Sequence, residues 1–407
     1  MRDELGMSIY DRLGVSTIIN GAGATTRLSG SLMPKAVVEA MTEASRHLVD
    51  IECLQAKASE IISRVTGAEA GFVTSGAAAG LVLATAACIT GLDIAKMERL
   101  PDTSGMKNEV VIPRHQRNAY DHQIRLAGAK LVEAGLDECG VGVGARSVEG
   151  WEIESAIGEK TAAIAYLAKP RSTPSLDEIT KIAEAHGIPV IVDAAGELPP
   201  VTNLKNFVAR GASLVVFSGG KAIRGPQSTG ILCGRNELIM AALLQQLDMS
   251  CRSETWNPPS NLIDKSKLKG MPRHGIGRGY KVSKEEIVGL ITALELYCHS
   301  DQAEEMKRLE TMAKYIVEAL RNVDGIIATF LPKTDTRPMP LAELKFLGHN
   351  EPNFITRLEN YLRSQSPPIY LDDKRFDEMI LQVNPFNLQD NELDIIVRRI
   401  KEALTHS

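Results

Sequence analysis

The chain has 407 residues, a length that allows two or three compact units with a substantial buried core. Its 46 basic and 51 acidic side chains give a formal net charge of −5, and they form no strong basic run. This balance argues against a long phosphate backbone as the main partner, so nucleic acid is not expected.

The amino terminus and the cysteines predict a reduced, cytoplasmic protein. Met1-Arg2-Asp3-Glu4 carries acids rather than a signal-peptide core, and no uninterrupted apolar run reaches the roughly 18 residues that span a bilayer. The cysteines are scattered, without a Cys-x-x-Cys pair or a metal-like spacing to histidine. We therefore expect free thiols, no metal site and no membrane partner.

From about residue 56 to 245, apolar runs of strand length alternate with segments of helical period. One such segment, Leu176 to His186, follows Ser175 as a predicted N-cap and ends before Gly187. The alternation is typical of a mostly parallel sheet with helices on both faces, so we predict an α/β fold. The predicted strands cover residues 71–73, 109–112, 130–133, 162–167, 189–192, 214–217 and 230–233.

Residues 250–280 are rich in glycine, proline and lysine, which predicts a long irregular connection near the functional site. Helical patterns over 285–297 and 302–322 then lead to a smaller unit. That unit has predicted strands at 325–330, 341–346 and 379–383 and predicted helices at 354–364 and 390–404. We predict an amino-terminal segment (1–50) that packs on the small domain or on a partner subunit, a large domain (51–285) and a small carboxyl-terminal α/β domain (286–407).

A lysine and an acid follow two of the predicted strands. Lys221 lies in the glycine-rich turn Phe217-Ser218-Gly219-Gly220-Lys221, and Asp193 ends the apolar run 28 residues earlier. This order suits a pyridoxal 5′-phosphate enzyme, in which a lysine forms the Schiff base and an acid pairs with the pyridinium nitrogen. Either residue alone could be an ordinary strand end or an exposed turn lysine. Their order and spacing together favour the cofactor.

Two short segments are candidates for binding the cofactor phosphate. Ser75, Gly76 and Ala77 form a small turn between a predicted strand and a helix, where free backbone amides and the positive end of the helix dipole favour an anion. Ser218, three residues before Lys221, is the second candidate. The alternatives are a plain N-cap and a turn-forming hydroxyl.

The polar segment 113–122 follows the predicted strand at 109–112. Ligands of open α/β sheets bind at the carboxyl edge, where a parallel strand delivers such a segment. We therefore expect that His115 stacks on the cofactor ring and that Arg117 or Asn118 reaches the substrate.

Several segments resemble the fold-type I pyridoxal phosphate enzymes, and most closely their selenocysteine synthase-like branch. The resemblance rests on residues 192–195, 217–221 and 225–230 and extends to 19–23, 66–70 and 277–286, so it covers most of the chain. Residues 100–109 are similar to the subgroup that contains D-glucosaminate-6-phosphate ammonia-lyase.

The resemblance implies an aspartate aminotransferase-type large domain with a small carboxyl-terminal domain. It implies Lys221 as the Schiff-base lysine, Asp193 at the pyridinium nitrogen and His115 on the ring. It also implies a homodimer or larger ring with active sites at subunit interfaces. The residues implied around the phosphate are Ser75, Gly76, Ala77 and Ser218.

The chain departs from related enzymes at two places. Related cysteine desulfurases carry a histidine before the lysine and a glutamine three residues after the aspartate, whereas this chain has Gly220 and Gly196, so other groups must contact the ring oxygen. The arginine that many fold-type I enzymes place in the small domain for the substrate carboxylate appears as Gln382. The candidates that replace it are Arg278, Arg27 and Arg171.

The combined expectation is a lyase that removes ammonia from a 2-amino-3-hydroxy acid, such as D-glucosaminate or its 6-phosphate, and gives a 2-keto-3-deoxy acid. Aldol cleavage or racemisation of a similar amino acid remains open, because the same cofactor supports all three reactions. Selenium transfer onto seryl-tRNA is disfavoured by the acidic balance and by the short segment before the main domain. A non-enzymatic scaffold would require the pairing of Lys221 with Asp193 to be a coincidence.

Overall fold

The computed structural model describes residues 8–348 and 353–406. Contacts divide the chain into two compact units. The central unit comprises Met33–His299, and the terminal unit combines residues 1–32 with residues 300–407.

Strands and helices are numbered in chain order within the described residues. The strands are β1 (Ile19–Gly21), β2 (Ala70–Thr74), β3 (Glu109–Pro113), β4 (Lys130–Ala134), β5 (Thr161–Leu167), β6 (Val190–Asp193), β7 (Leu214–Ser218), β8 (Gly230–Gly234), β9 (Ile326–Leu331), β10 (Leu341–Phe346), β11 (Ile369–Leu371) and β12 (Ile380–Val383). The helices are α1 (Ile9–Leu13), α2 (Lys35–Ala44), α3 (Ile51–Thr66), α4 (Gly76–Thr90), α5 (Ile94–Arg99), α6 (Asp121–Leu126), α7 (Gly150–Ser155), α8 (Leu176–Ala185), α9 (Asn203–Ala209), α10 (Asn236–Gln246), α11 (Lys284–His299), α12 (Gln302–Leu320), α13 (Phe354–Ser364) and α14 (Asp390–His406).

The central unit begins and ends at different residues from the predicted large domain. Helix α2 packs on helix α11, so both helices belong to the central unit. Gly289 allows the close approach, because a Cβ at that position would lie 2.7 Å from the Cγ of Met41. The units therefore divide after residues 32 and 299, whereas the predicted domain boundaries lie at residues 50 and 285.

The central unit contains a seven-stranded sheet in the order β2-β8-β7-β6-β5-β3-β4. All neighbouring pairs are parallel except those of β8, which runs antiparallel to β2 and β7. Each strand of this sheet matches a predicted strand to within one residue at either end. The predicted α/β class with a mostly parallel sheet is confirmed.

Strand residues alternate between two apolar cores on opposite faces of this sheet. Ile191 and Val216 pack with α4 and α10 on one face, whereas Val192 and Val215 pack with α3 and α8 on the other. Burial on both faces explains why these strands read as unbroken apolar runs in the sequence.

Helix α4 is apolar on almost all sides because it is buried between the sheet and α10. Gly80 lets the helix approach the sheet, since a Cβ there would lie 3.1 Å from a methyl carbon of Val216. This packing fixes the amino-terminal end of α4 beside the carboxyl edge of the parallel strands.

The predicted N-cap of helix α8, Ser175, is confirmed. The hydroxyl of Ser175 accepts a hydrogen bond from the amide of Glu178 at 3.3 Å, and Gly187 after the helix has a φ of +64°.

The terminal unit contains an antiparallel sheet in the order β12-β10-β9 and a parallel pair, β1 with β11. Its core is formed by the apolar faces of α12, α13 and α14 together with these strands. The side-chain amide of Asn387 donates to the carbonyl of Gly30 at 2.8 Å and ties the amino-terminal loop to this unit. The helices that the structure describes include none with the length and apolar character needed to cross a membrane.

Candidate active site

Three neighbouring parallel strands deliver the polar residues of the site to one edge of the central sheet. Asp193 ends β6 and pairs in register with Leu167 of β5 and Val216 of β7. Lys221 follows β7 within one turn, and Lys169 follows β5. The structure therefore brings the two main predicted residues, Lys221 and Asp193, to the same edge.

Gly196 marks the point where two lysine amines approach each other. A Cβ at Gly196 would lie 3.8 Å from the Nζ of Lys169 and 3.9 Å from the Nζ of Lys221. Lys169 also contacts Glu197, with 3.2 Å between its Nζ and Oε1. Neither Lys169 nor Glu197 was among the predicted site residues.

The environment of Lys221 favours a neutral amine. Burial is the largest effect and lowers the pKa of Lys221, and the Lys169 ammonium lowers it further. The carboxyl groups of Asp193 and Glu197 act in the opposite direction without overcoming burial. A neutral amine is the form that can bond to an aldehyde or accept a proton, so this environment suits the predicted role.

Asp193 lies in a narrow recess with Gln116, Ile191 and Leu167. Burial raises the pKa of Asp193, while the amide of Ala195, which donates to Oδ1 at 3.0 Å, and the nearby lysines lower it. A recessed carboxyl of this kind gains stability from a cationic partner. The pyridinium nitrogen of pyridoxal phosphate is such a partner, so the chemistry of this carboxyl suits the cofactor.

Gln116 is a further polar group of this recess that the sequence analysis passed over. Its side chain is buried, and its Oε1 accepts a hydrogen bond from the amide of Leu167 at 2.8 Å. Among the described residues, its Nε2 has no hydrogen-bond partner. A buried donor without an acceptor is costly, so a ligand that brought an acceptor to this Nε2 would recover that cost.

The two predicted phosphate segments meet across Gly230. The sheet register pairs Gly230 with Thr74 of β2 and with Ser218 of β7. A Cβ at Gly230 would lie 2.6 Å from the amide nitrogen of Ala77, so glycine is needed for the amino-terminal end of α4 to sit here. The Ser75 hydroxyl makes no capping hydrogen bond to this helix, and Gly76 has a φ of +88°. The turn thus keeps the free amides of a fifteen-residue helix available to an anion.

His115 lies on the single 3-10 turn Arg114–Gln116 that follows β3, at the same edge of the sheet. Its ring is exposed, whereas the next residue, Gln116, points into the protein. The stacking of His115 on the cofactor ring stays a prediction.

Two of the predicted substrate arginines are already paired with acids of the chain. Arg117 forms ion pairs with Asp121 and Glu133. Arg278 forms an ion pair with Asp248. Hydrogen bonds from Ser250 are the main cause that lowers the pKa of the Asp248 carboxyl to about 2, and Arg278 adds to the effect. Arg278 also lines a separate cavity of about 530 Å³, whose other lining residues include Glu52, Trp256 and Lys281.

The other two arginines differ in their surroundings. Arg171 is exposed in the loop after β5 and has a φ of +62°, and no ion pair of Arg171 occurs within the described ranges. Arg27 belongs to the terminal unit, where its guanidinium carbon lies 5.5 Å from the centre of the Tyr370 ring.

The sequence is similar to one family model and to three curated proteins. The model of the family described as aminotransferase class-V matches residues 125–361. D-glucosaminate-6-phosphate ammonia lyase of Salmonella typhimurium is 31% identical, covering 98% of this chain and 99% of that protein. 5′-C-glycyluridine monooxygenase-decarboxylase of a Streptomyces species is also 31% identical, over 97% of this chain and 92% of that protein. L-seryl-tRNA(Sec) selenium transferase of Nitratidesulfovibrio vulgaris is 27% identical, over 54% of this chain and 49% of that protein.

The solved structure of D-glucosaminate-6-phosphate ammonia-lyase superposes on this chain with a TM-score of 0.79 at 30% identity, covering 98% of this chain and 99% of that one. The similarity supports a pyridoxal phosphate enzyme of the ammonia-lyase kind, and it confirms the predicted fold type. The chain belongs to the aminotransferase class-V family and is an enzyme whose cofactor is pyridoxal 5′-phosphate.

Proposed function

We propose that this enzyme removes ammonia from a 2-amino-3-hydroxy acid, such as D-glucosaminate or its 6-phosphate, and forms a 2-keto-3-deoxy acid. The observation that carries the proposal is that Lys221 and Asp193 interact electrostatically at one edge of the sheet, where burial lowers the pKa of the Lys221 amine. The name of the full-length relative and of the superposed structure, D-glucosaminate-6-phosphate ammonia lyase, supports the substrate class.

When bound, pyridoxal phosphate holds the substrate nitrogen and draws electrons away from the α-carbon. Lys221 then accepts the α-proton on Nζ and can return a proton to the departing 3-hydroxyl. Asp193 provides the carboxyl that faces the ring nitrogen. One water leaves at C3 and one water enters at C2, so the net products are one ammonia and the keto acid.

Backbone and hydroxyl groups hold the cofactor in this proposal. Ser75, Gly76 and Ala77 present the amino-terminal end of α4, and Ser218 faces it across Gly230. Amides that point outward from a helix start bind phosphate without a change in the protein. His115, in the loop after β3, would cover the ring.

Arg171 is the best-supported candidate of the central unit for the substrate carboxylate. Arg117 and Arg278 are engaged by acids, so a substrate would have to displace Asp121, Glu133 or Asp248 from them. Arg171 is exposed and lies two residues after Lys169. A charge-assisted hydrogen bond from Arg171 contributes about 1.5–3 kcal/mol, so Arg171→Gln should raise the KM at least about tenfold with little change in kcat.

Product analysis of the purified holoenzyme tests the reaction. D-Glucosaminate and its 6-phosphate are each supplied, and ammonia and keto acid are measured together. The expected result is one ammonia per keto acid, with the carbon chain intact, and none of either with Lys221→Ala. Cleavage between the α and β carbons would identify an aldolase, and loss of chirality alone a racemase. Carbon dioxide release with oxygen uptake would instead match the monooxygenase-decarboxylase relative, and any of these outcomes would overturn the proposal.

The chain is proposed to assemble as a homodimer or larger homo-oligomer, with active sites at subunit interfaces. Exposed apolar side chains support this assembly: Leu48 is 96% exposed and Val49 51% exposed just before α3. Light scattering at micromolar concentration would contradict it if the mass were that of one chain.

A further inference from the structure

Lys169 is a second lysine at the edge of the sheet, and it has no role in the reaction proposed above. Its Nζ lies 3.2 Å from Oε1 of Glu197 and 3.8 Å from the position that a Cβ of Gly196 would occupy. The Nζ of Lys221 lies 3.9 Å from the same position. A side chain at residue 196 would therefore begin within 4 Å of both amines.

Gly220 and Gly196 contribute no side chain near the two amines. Gly220 has no room for a side chain in this conformation, because a Cβ there would lie 2.6 Å from the Cα of Gln227 and 2.8 Å from its carbonyl oxygen. Gly196 contributes no polar group. The Nζ of Lys169 lies near this point, where its positive charge acts on Lys221 alongside the carboxyl groups of Asp193 and Glu197.

Glu197 anchors the ammonium of Lys169. The carboxyl side chain of Glu197 is only 11% exposed, whereas that of Lys169 is 57% exposed. The loop that carries Glu197 is itself fixed, because the side-chain amide of Asn203 donates to the Glu197 carbonyl at 2.7 Å. A long exposed lysine thus has its charged end held by a nearly buried partner.

We propose that Lys169 is a positioning residue of the active site, whose ammonium, held by Glu197, disfavours a second positive charge on Lys221 and replaces the missing side chain at residue 196 beside the cofactor. The inference deepens the proposed function and rests on it only for the role of Lys221 as the reacting amine.

The charges around Lys221 explain the direction of the effect. The charged groups that face Lys221 are Asp193, Glu197 and Lys169, and those that face Lys169 are the same two acids and Lys221. With Lys169 present, two acids are shared by two amines. Without it, Lys221 alone faces both carboxyl groups, and its protonated form becomes more favourable.

The first test follows the protonation of Lys221 in the protein without cofactor. Competitive labelling with acetic anhydride across pH 6 to 10, read by mass spectrometry, reports the neutral fraction of each lysine. In Lys169→Met we expect Lys221 to be labelled roughly threefold to tenfold more slowly at neutral pH, because labelling falls with the neutral fraction. Lys169→Arg keeps the charge and should remain close to the wild type.

Lys169→Gln is the matched second variant, since it keeps a polar side chain and removes the charge. Equal labelling of Lys221 in the wild type and in both neutral variants would overturn the proposal. An equal change in Lys169→Arg and Lys169→Met would also overturn it, because shape rather than charge would then matter. Failure of both neutral variants to fold would assign Lys169 to the stability of the fold and would count against the proposal.

The second test uses the absorbance of the bound cofactor, which changes when its bond to Lys221 gains or loses a proton. The midpoint of this change should move to higher pH in Lys169→Met and stay in place in Lys169→Arg. This readout does not depend on turnover. A shifted midpoint without ammonia release would remove the proposed function and leave the inference standing. Ammonia release with an unshifted midpoint would overturn the inference about Lys169 and support the proposed function.

Discussion

At the scale of single residues, the site combines groups that each follow a strand. The placement of Lys221 and Asp193 at one edge of the sheet could be predicted, because an acid at a strand end followed by a lysine in a glycine-rich turn is an unusual combination. Lys169, Glu197 and Gln116 could not. Each is an ordinary polar residue in the sequence, and its partner depends on which strands are neighbours, which the sequence pattern does not give.

Asp193→Asn tests the carboxyl of the recess. The substitution keeps the size of the side chain and removes its charge, so in the proposed site the ring nitrogen would lose its anionic partner. We expect kcat to fall roughly a hundredfold or more, a typical loss for a group that assists proton placement in the transition state. Steady-state kinetics on the saturated holoenzyme measures this effect.

Asp335→Asn is the control for this substitution, because Asp335 is an exposed acid of the terminal unit. It should leave kcat unchanged. Full activity in Asp193→Asn would show that Asp193 does not act on the cofactor.

At the scale of elements, the parallel strands were predicted closely because burial on both faces leaves a continuous apolar signal. The pair of β1 and β11 was missed. Each of these strands has three residues, too few for a periodic pattern, and they are brought together from opposite ends of the chain. The strands β2 and β8 and the start of α4 were each predicted, but their contact at Gly230 was not.

Gly230→Ala tests that contact. The added Cβ would lie 2.6 Å from the amide nitrogen of Ala77, so the start of α4 must move away from β8. We expect the affinity for pyridoxal phosphate to fall at least about tenfold and the stability to fall by about 1–3 kcal/mol, as is usual for overpacking. Absorbance titration and urea unfolding measure the two effects.

Gly158→Ala is the matched control, since nothing lies within 4 Å of the position that its Cβ would take. It should change neither quantity by much. An unchanged cofactor affinity in a folded Gly230→Ala protein would argue against the start of α4 as the phosphate site.

At the scale of the whole molecule, the burial that lowers the pKa of Lys221 also makes the stability of the fold depend on pH. Burial lowers the pKa of Lys221, so the unfolded chain binds a proton at this residue that the folded chain binds less readily. The free energy of unfolding therefore rises with pH between the lowered pKa and the ordinary value of about 10.4. A site that carries out chemistry often has this cost.

Lys221→Met tests this cost in the protein without cofactor. The uncharged side chain removes the penalty, so we expect the variant to be more stable than the wild type at pH 7. The difference should shrink as the pH approaches about 10, where the amine is neutral in both states. Urea unfolding at several pH values measures it.

Lys160→Met, at an exposed lysine, is the control and should show no comparable gain. A less stable Lys221→Met protein at neutral pH would mean that the attraction of Lys221 to its acidic neighbours outweighs burial.

The buried Nε2 of Gln116, which has no hydrogen-bond partner among the described residues, has a consequence for ligand specificity. A donor enclosed without an acceptor costs about 1–3 kcal/mol, and a guest molecule recovers that energy only if it brings an oxygen or nitrogen lone pair to the same spot. An analogue of pyridoxal phosphate that places an oxygen or nitrogen acceptor beside this Nε2 should therefore bind roughly tenfold to a hundredfold more tightly than an analogue of the same shape without the acceptor.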